Sequence, residues 1–481
     1  MSKTLELDPE TFRRLGYEAI DLIAAALAQR SQREELARRP VPDQLRQQLM
    51  HQPMPEEGTN PDELLQFVAE NIFPYPLGHN NPRFFAWINS PGAPLSVIGE
   101  LLAAGMNTSA AGGDQASTYL EHGVLDWFKE MMGFPPDSGG LLVSGGSMAA
   151  IVGLAVMRHV KTNGAARQEG LQQAAAPLTV YASAEGHSSI QKAIELLGFG
   201  NNNLRQVPIT TDFQLDVAAL AALISADRAA GRQPVCVVAS AGTVNTGTID
   251  PLNEIADLCE AEGLWFHIDG AYGAVARLLP ELADQFAGLE RADSLGMDPH
   301  KWMYVPVECG LVLVRDKAAM QDCFSLVPAY LRDDRLLPWF AEFGPQQTRA
   351  FRALKLWLAL KQIGLSGYRE LISRDIALAR TLRQKIQARA DFELVTSGPL
   401  SVTCFRYAPA GLTDPAAIES LNHDLLARVQ AAGEVYLTHT MIKGEAVLRA
   451  SIVNFRTEEA DLDFLLDHLA AAGQACLADQ A

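Results

Sequence analysis

From about Gly140 onward the chain alternates short apolar runs with longer amphipathic ones, the pattern of strands joined by crossover helices into a mostly parallel sheet. Apolar runs at 141–144, 180–183, 204–209, 235–241, 265–269, 294–297 and 310–315 predict a seven-stranded sheet, and the stretches 147–161, 188–197, 216–230 and 251–262 predict helices between the strands. Upstream, Asp8-Pro9-Glu10 is a capping signal, and Leu15, Ile20, Leu22, Ile23 and Leu27 mark one face of a first helix. A connector with Pro40, Pro42, Pro53 and Pro55 leads to a second helix over 61–71. Such amphipathic helices must cover another body to bury their apolar faces. After Phe351 the pattern predicts a helix through Gln362, another over 368–390, strands at 400–407 and 447–453, and a final helix. The expected organisation is a helical segment over 1–80, a large α/β domain over 81–358 and a small α/β domain over 359–481.

Composition narrows the function classes. A chain of 481 residues exceeds the size at which one core keeps growing, and 48% apolar with 20% charged residues is globular rather than disordered. The formal net charge of -18 argues against nucleic acid or an anionic membrane as partner, because those surfaces demand a basic patch. The start of the chain lacks the basic-then-apolar pattern of a signal peptide, and the run 20–28 is too short to span a bilayer, so a soluble cytoplasmic protein is expected. Its six cysteines form no C-x-x-C pair, which suits free buried thiols better than a zinc knuckle or disulfides.

Candidate chemistry clusters just after the predicted strands, where open α/β sheets bind ligands. Gly145-Gly146-Ser147 follows the first strand and opens a helix, an arrangement that suits phosphate but also describes a plain strand-to-helix turn. It lacks the lysine of a Walker loop and is not G-x-S-x-G. His267-Ile268-Asp269-Gly270-Ala271-Tyr272 ends another strand, where Asp269 is able either to pair with a cationic ring nitrogen or to cap the next turn. Asp298-Pro299-His300-Lys301-Trp302 places a lysine after a buried strand, and desolvation there favours the neutral amine that condenses with an aldehyde. His187, in Gly186-His187-Ser188-Ser189, is placed either to stack on a flat cofactor or to serve as a helix-start residue.

Together these features resemble the group II pyridoxal-phosphate-dependent amino acid decarboxylases, over nearly the whole chain. The resemblance rests on FFAW at 84–87, GHSS at 186–189, HIDGAY at 267–272, DPHKW at 298–302 and FRALKLW at 351–357, in that order. It implies the fold type I architecture of aspartate aminotransferase, pyridoxal 5'-phosphate as cofactor, and a homodimer with sites at the subunit interface. By resemblance Lys301 is the Schiff-base lysine, Asp269 the partner of the pyridine nitrogen and His187 the residue stacked on the ring. Gly146, Ser147 and His300 resemble the phosphate cradle, Ala271 packs beneath the ring, and Thr243 lies in the cofactor-facing loop. The region 325–337 resembles the family's mobile catalytic loop, with Tyr330 as proton donor, and Arg449 resembles the arginine that holds the substrate carboxylate. Retention of Tyr330 and His187 points to plain decarboxylation rather than aldehyde synthesis.

Ser90, Ser109, Ala111 and Thr348 stand at positions that resemble the substrate pocket, with smaller and more polar side chains than animal aromatic decarboxylases use. Thr348 hints at a phenolic side chain. The segment 88–113 contains no arginine or lysine, which disfavours a glutamate-like substrate, since an unpaired distal carboxylate is costly to bury. Asp298 replaces an asparagine of animal relatives, and as a carboxylate it is left out of the expected cradle. An alternative of another class is a metallohydrolase with His267, Asp269, Asp298 and His300 as ligands, although the leading reading holds no metal.

Overall fold

The computed structural model describes residues 5–30, 35–326 and 337–480. Two compact units result, one of Ile88–Arg380 with Thr396–Thr403, the other of Met1–Trp87, Thr381–Val395 and Cys404–Ala481.

The larger unit is built on a seven-stranded sheet of β1 (Gly139–Val143), β2 (Leu178–Ser183), β3 (Leu204–Val207), β4 (Gln233–Ser240), β5 (Trp265–Asp269), β6 (Ser294–Met297) and β7 (Gly310–Val314), in the order β1-β7-β6-β5-β4-β2-β3. Neighbours β3, β2, β4, β5 and β6 are parallel, and β7 runs antiparallel to both β6 and β1. Every residue of β1, β2 and β7 is buried, which is why these strands read as unbroken apolar runs rather than alternating ones. Crossover helices Gly146–Lys161, Ser188–Leu196, Val217–Ala229 and Leu252–Glu262 fall where the sequence periodicity places them.

The two helices expected after Phe351 are both present: the span Ala353–Gln387 is broken between them at Gly364, whose φ of 67° and ψ of 169° are not helical. A glycine there lets the chain kink without the steric penalty of a Cβ.

The smaller unit contains a four-stranded sheet, ordered β10-β11-β9-β8, from β8 (Phe392–Leu394), β9 (Val402–Tyr407), β10 (Thr438–Ile442) and β11 (Glu445–Ser451). Helices Pro415–Ala432 and Glu459–Gln480 accompany it. Its N-terminal part holds helices Pro9–Arg30, Asp43–Met50 and Pro61–Asn71, the last started by Asn60, whose side chain accepts the Asp62 N–H at 3.0 Å, with proline at the first position. Phe12, Tyr17, Leu64 and Val68 on these helices, and Ile72 just after the last of them, are exposed. All six cysteines are free, and all but the half-buried Cys323 are buried.

Candidate active site

Because β1, β2, β4, β5 and β6 run in one direction, the segments that follow them emerge at one edge of the sheet. That edge carries Gly145–Ser147, His187, Thr243, Asp269–Ala271 and Asp298–Lys301.

The Lys301 amine lies 3.0 Å from Oδ2 of Asp298, a buried carboxylate, and the lysine side chain is 22% exposed. The turn is tight: the Lys301 N–H donates to the Asp298 carbonyl at 2.8 Å. Among the described residues Asp298 Oδ1 has no hydrogen-bond partner. Asp298, left out of the expected phosphate cradle, thus faces both Lys301 and the glycine turn. A Cβ on Gly146 would stand 2.9 Å from Asp298 Oδ2 and 3.2 Å from the Ala271 methyl, so the glycine, the alanine and the carboxylate close around one small space. A Cβ on Gly310 would come 2.5 Å from the Gly145 backbone, so that this close approach also requires glycine. Ser147 is exposed at the start of the sixteen-residue helix Gly146–Lys161, whose first N–H groups have no helical partner.

His300 is fixed by its backbone neighbours: Nδ1 is 2.8 Å from the Cys309 carbonyl and 3.2 Å from the Cys309 N–H, and the shorter contact makes Nδ1 the donor. Burial is the main reason its pKa lies below the ordinary histidine value, opposed by Asp298. His187 caps the helix Ser188–Leu196, with Nδ1 accepting the Ser189 N–H at 3.1 Å and lying 2.8 Å from the Ser189 hydroxyl. Desolvation lowers its pKa as well, and Asp269, Lys301 and Asp298 are the charges that act on it next. A neutral imidazole with Nδ1 engaged is a flat, rigid surface at this edge.

Asp269 is half-buried and accepts the Ala271 N–H at 3.1 Å through Oδ1. Asp269 thus caps its turn through Oδ1, and its second oxygen takes no part in that bond. Thr243 is buried, and its hydroxyl is engaged within its own loop by Thr246 Oγ1 at 2.8 Å and the Thr248 N–H at 3.1 Å, so its visible work is to hold the loop. Ser90, also buried, donates to the His300 carbonyl at 3.2 Å.

Ser109 lies against Arg349, which the sequence reading missed and which directly follows Thr348, while the Ala111 carbonyl accepts the Ala341 N–H at 3.0 Å. The Arg349 N–H donates to Ser109 Oγ at 3.3 Å, and its guanidinium donates to the carbonyls of Ala110 and Leu142, each at 2.6 Å, and to the carboxylate of Glu121. The Arg349 and Glu121 side chains are almost wholly buried. Thr348 itself is exposed. Arg449 is buried on β11 of the smaller unit, opposite Thr438 in register. Tyr330 lies outside the described residues.

Among the described residues no group of three His, Cys, Asp or Glu side chains could hold a metal ion, and His267 is buried with Nδ1 2.8 Å from the Ser294 hydroxyl.

Comparison with known proteins gives the family. Residues 42–408 match the pyridoxal-dependent decarboxylase conserved domain. The chain is 34% identical over 476 residues to an aromatic-L-amino-acid decarboxylase of Bacillus atrophaeus, covering 96% of this chain and 95% of that one. It is 29% identical to a phenylacetaldehyde synthase of Petunia hybrida, over 93% of this chain and 91% of the other. In three dimensions it matches the crystal structure of Oryza sativa TDC with PLP and tryptamine at a TM-score of 0.92 and 26% identity, over 98% of this chain and 100% of that one.

Proposed function

The chain belongs to the pyridoxal-dependent decarboxylase family, and from that premise we propose that it converts an aromatic L-amino acid to the corresponding amine and carbon dioxide. The observation that carries the site assignment is the Lys301 amine at the same sheet edge as Asp269, His187 and the Gly145–Gly146 turn.

The residues at that edge fit pyridoxal phosphate: a lysine for its aldehyde, a helix start and a glycine-lined space for its phosphate, and a neutral imidazole and an alanine for its ring. Bound there, the cofactor supplies an electron sink for the pair left when carbon dioxide departs. Asp269 would keep a proton on the ring nitrogen. His187 and Ala271 would hold the ring. The first N–H groups of helix Gly146–Lys161, the Ser147 hydroxyl and His300 would bind the phosphate. Asp298 would hold the Lys301 amine whenever that amine is not joined to the cofactor. The resemblance assigns Tyr330 to return a proton to the α-carbon and Arg449 to the substrate carboxylate.

Aromatic selectivity is supported by the relatives and by the absence of any arginine or lysine from 88–113 to meet a distal carboxylate. The exposed apolar side chains of the N-terminal helices, together with Ile98, Leu101, Leu102 and Met106 on helix Pro94–Met106, support a homodimer. Free cysteines support a reducing, cytoplasmic setting, and no helix among the described residues is long and apolar enough to cross a membrane. Incubation of the purified protein with tyrosine, phenylalanine, tryptophan, DOPA and glutamate tests the proposal. Amines with carbon dioxide from the aromatic substrates are expected; aldehyde with ammonia, or turnover of glutamate alone, contradicts it.

A further inference from the structure

The turn that carries Lys301 is gripped from the helix Ala353–Gln387 by a buried carboxylate with no part in the steps above. Oδ2 of Asp375 accepts the Trp302 indole N–H at 2.8 Å and the Tyr304 hydroxyl at 2.6 Å. Two helical turns earlier on the same face, Tyr368 donates its hydroxyl to the Met303 carbonyl at 3.0 Å. The residues that follow Lys301, namely Trp302, Met303 and Tyr304, are thus each tied to that helix.

The tie is needed where it is made. Tyr304 adopts φ 56°, a left-handed conformation that a bulky L residue rarely holds without support, and its N–H donates back to the Lys301 carbonyl at 3.2 Å. Its carbonyl accepts the Ala93 N–H at 2.7 Å, so the conformer is fixed on several sides. Trp302 stacks on Tyr272, with ring centroids 5.0 Å apart and planes 22° from parallel, and Tyr272 directly follows the Asp269–Ala271 segment. The Tyr272 hydroxyl lies 2.6 Å from that of Ser401. One carboxylate therefore supports both segments that bear the site, those after β5 and after β6.

We propose that Asp375 is a positioning residue for Lys301, an acceptor for Trp302 and Tyr304 whose loss lets the turn relax and misplaces the amine. The proposal rests on the reading of Lys301 as the cofactor-bearing residue. Burial pushes the Asp375 carboxyl up to about 7, so a neutral acceptor of the same shape suits the site, and Asp375→Asn is the conservative replacement.

The test compares wild type, Asp375→Asn, Asp375→Ala and Tyr304→Phe, each loaded with pyridoxal phosphate. Readouts are the visible circular dichroism of the bound cofactor, kcat and KM separately, and the near-ultraviolet signal of the cofactor-free chain. Asp375→Asn is expected to keep all of them within about twofold of wild type. Asp375→Ala is expected to lose at least about half of the cofactor's dichroism and about tenfold in kcat, with KM within about threefold. Should the alanine variant not fold, Tyr304→Phe decides, since it removes one donor only; the same changes in smaller degree support the proposal. Folded variants with wild-type dichroism and kcat and only a lower melting temperature make Asp375 structural and overturn it. A wild-type chain that takes up no cofactor refutes the Lys301 reading instead, an outcome distinct from equal spectra in all the proteins.

Discussion

The amine of Lys301 and Oδ2 of Asp298 stand 3.0 Å apart, and the other oxygen of that carboxylate has no hydrogen-bond partner among the described residues. A buried carboxylate beside the glycine turn is an unusual neighbour for a phosphate, because like charges in a poorly solvated site repel. It does, however, give the lysine a counter-charge whenever the amine is not occupied by the cofactor.

Removing that charge while keeping the shape is therefore expected to favour cofactor uptake. Asp298→Asn should bind pyridoxal phosphate about tenfold more tightly, the equivalent of about 1.4 kcal/mol, in an absorbance titration of cofactor-free protein. Unchanged or weaker binding contradicts the assignment of the phosphate to this side of the turn.

Asp269 is expected to act on the reaction far more than on cofactor retention. Asp269→Asn should lower kcat about a hundredfold, roughly 3 kcal/mol, while most of the chain still loads with cofactor, as read by steady-state kinetics beside the bound-cofactor spectrum. A variant with full kcat removes Asp269 from the chemistry.

The Arg349–Glu121 pair predicts a large effect on stability. Glu121→Ala leaves a guanidinium buried without its charge partner, and should destabilise the chain by about 3–5 kcal/mol in urea unfolding. Replacing both partners, as Glu121→Leu with Arg349→Met, should recover much of that loss. A single variant within about 1 kcal/mol of wild type shows that the carbonyls of Ala110 and Leu142 suffice to hold the arginine.

His267 predicts how stability depends on pH. Burial lowers its pKa to about 4, and its Nδ1 is set to accept from Ser294, whose oxygen already accepts the Trp265 indole N–H at 2.8 Å. A folded-state value below the unfolded value of about 6.5 means that its contribution is present above that pH and lost as pH falls through about 4. The loss is on the order of 3 kcal/mol. Urea unfolding at pH 7 and pH 4 should show a smaller acid penalty for His267→Gln than for wild type; equal penalties assign the acid sensitivity elsewhere.

The legible parts of this molecule are those written in local pattern. Buried strands such as 310–314 appear as apolar runs because no face of them meets water, and the polar residues just after the strands share one edge because parallel strands end together. Lys301 stood out because a lysine after such a strand has few bland explanations. Asp375 had no such signal: one aspartate in a long amphipathic helix reads as solvent-facing, and only folding brings it to Trp302 and Tyr304. Arg349 was hidden in the same way, since its partner Glu121 is far off in sequence. The contact between Asp298 and the Lys301 amine carried no signal of its own in the sequence, where the carboxylate was weighed against phosphate alone.

The central claim is that the Lys301 amine carries the aldehyde of pyridoxal phosphate. Borohydride reduction of the loaded protein, followed by peptide mapping by mass spectrometry, tests it most directly. The account predicts a pyridoxyl group on the peptide that contains Lys301, absent from Lys301→Ala; a wild-type chain that loads with cofactor yet carries the label on another lysine, or on none, contradicts it.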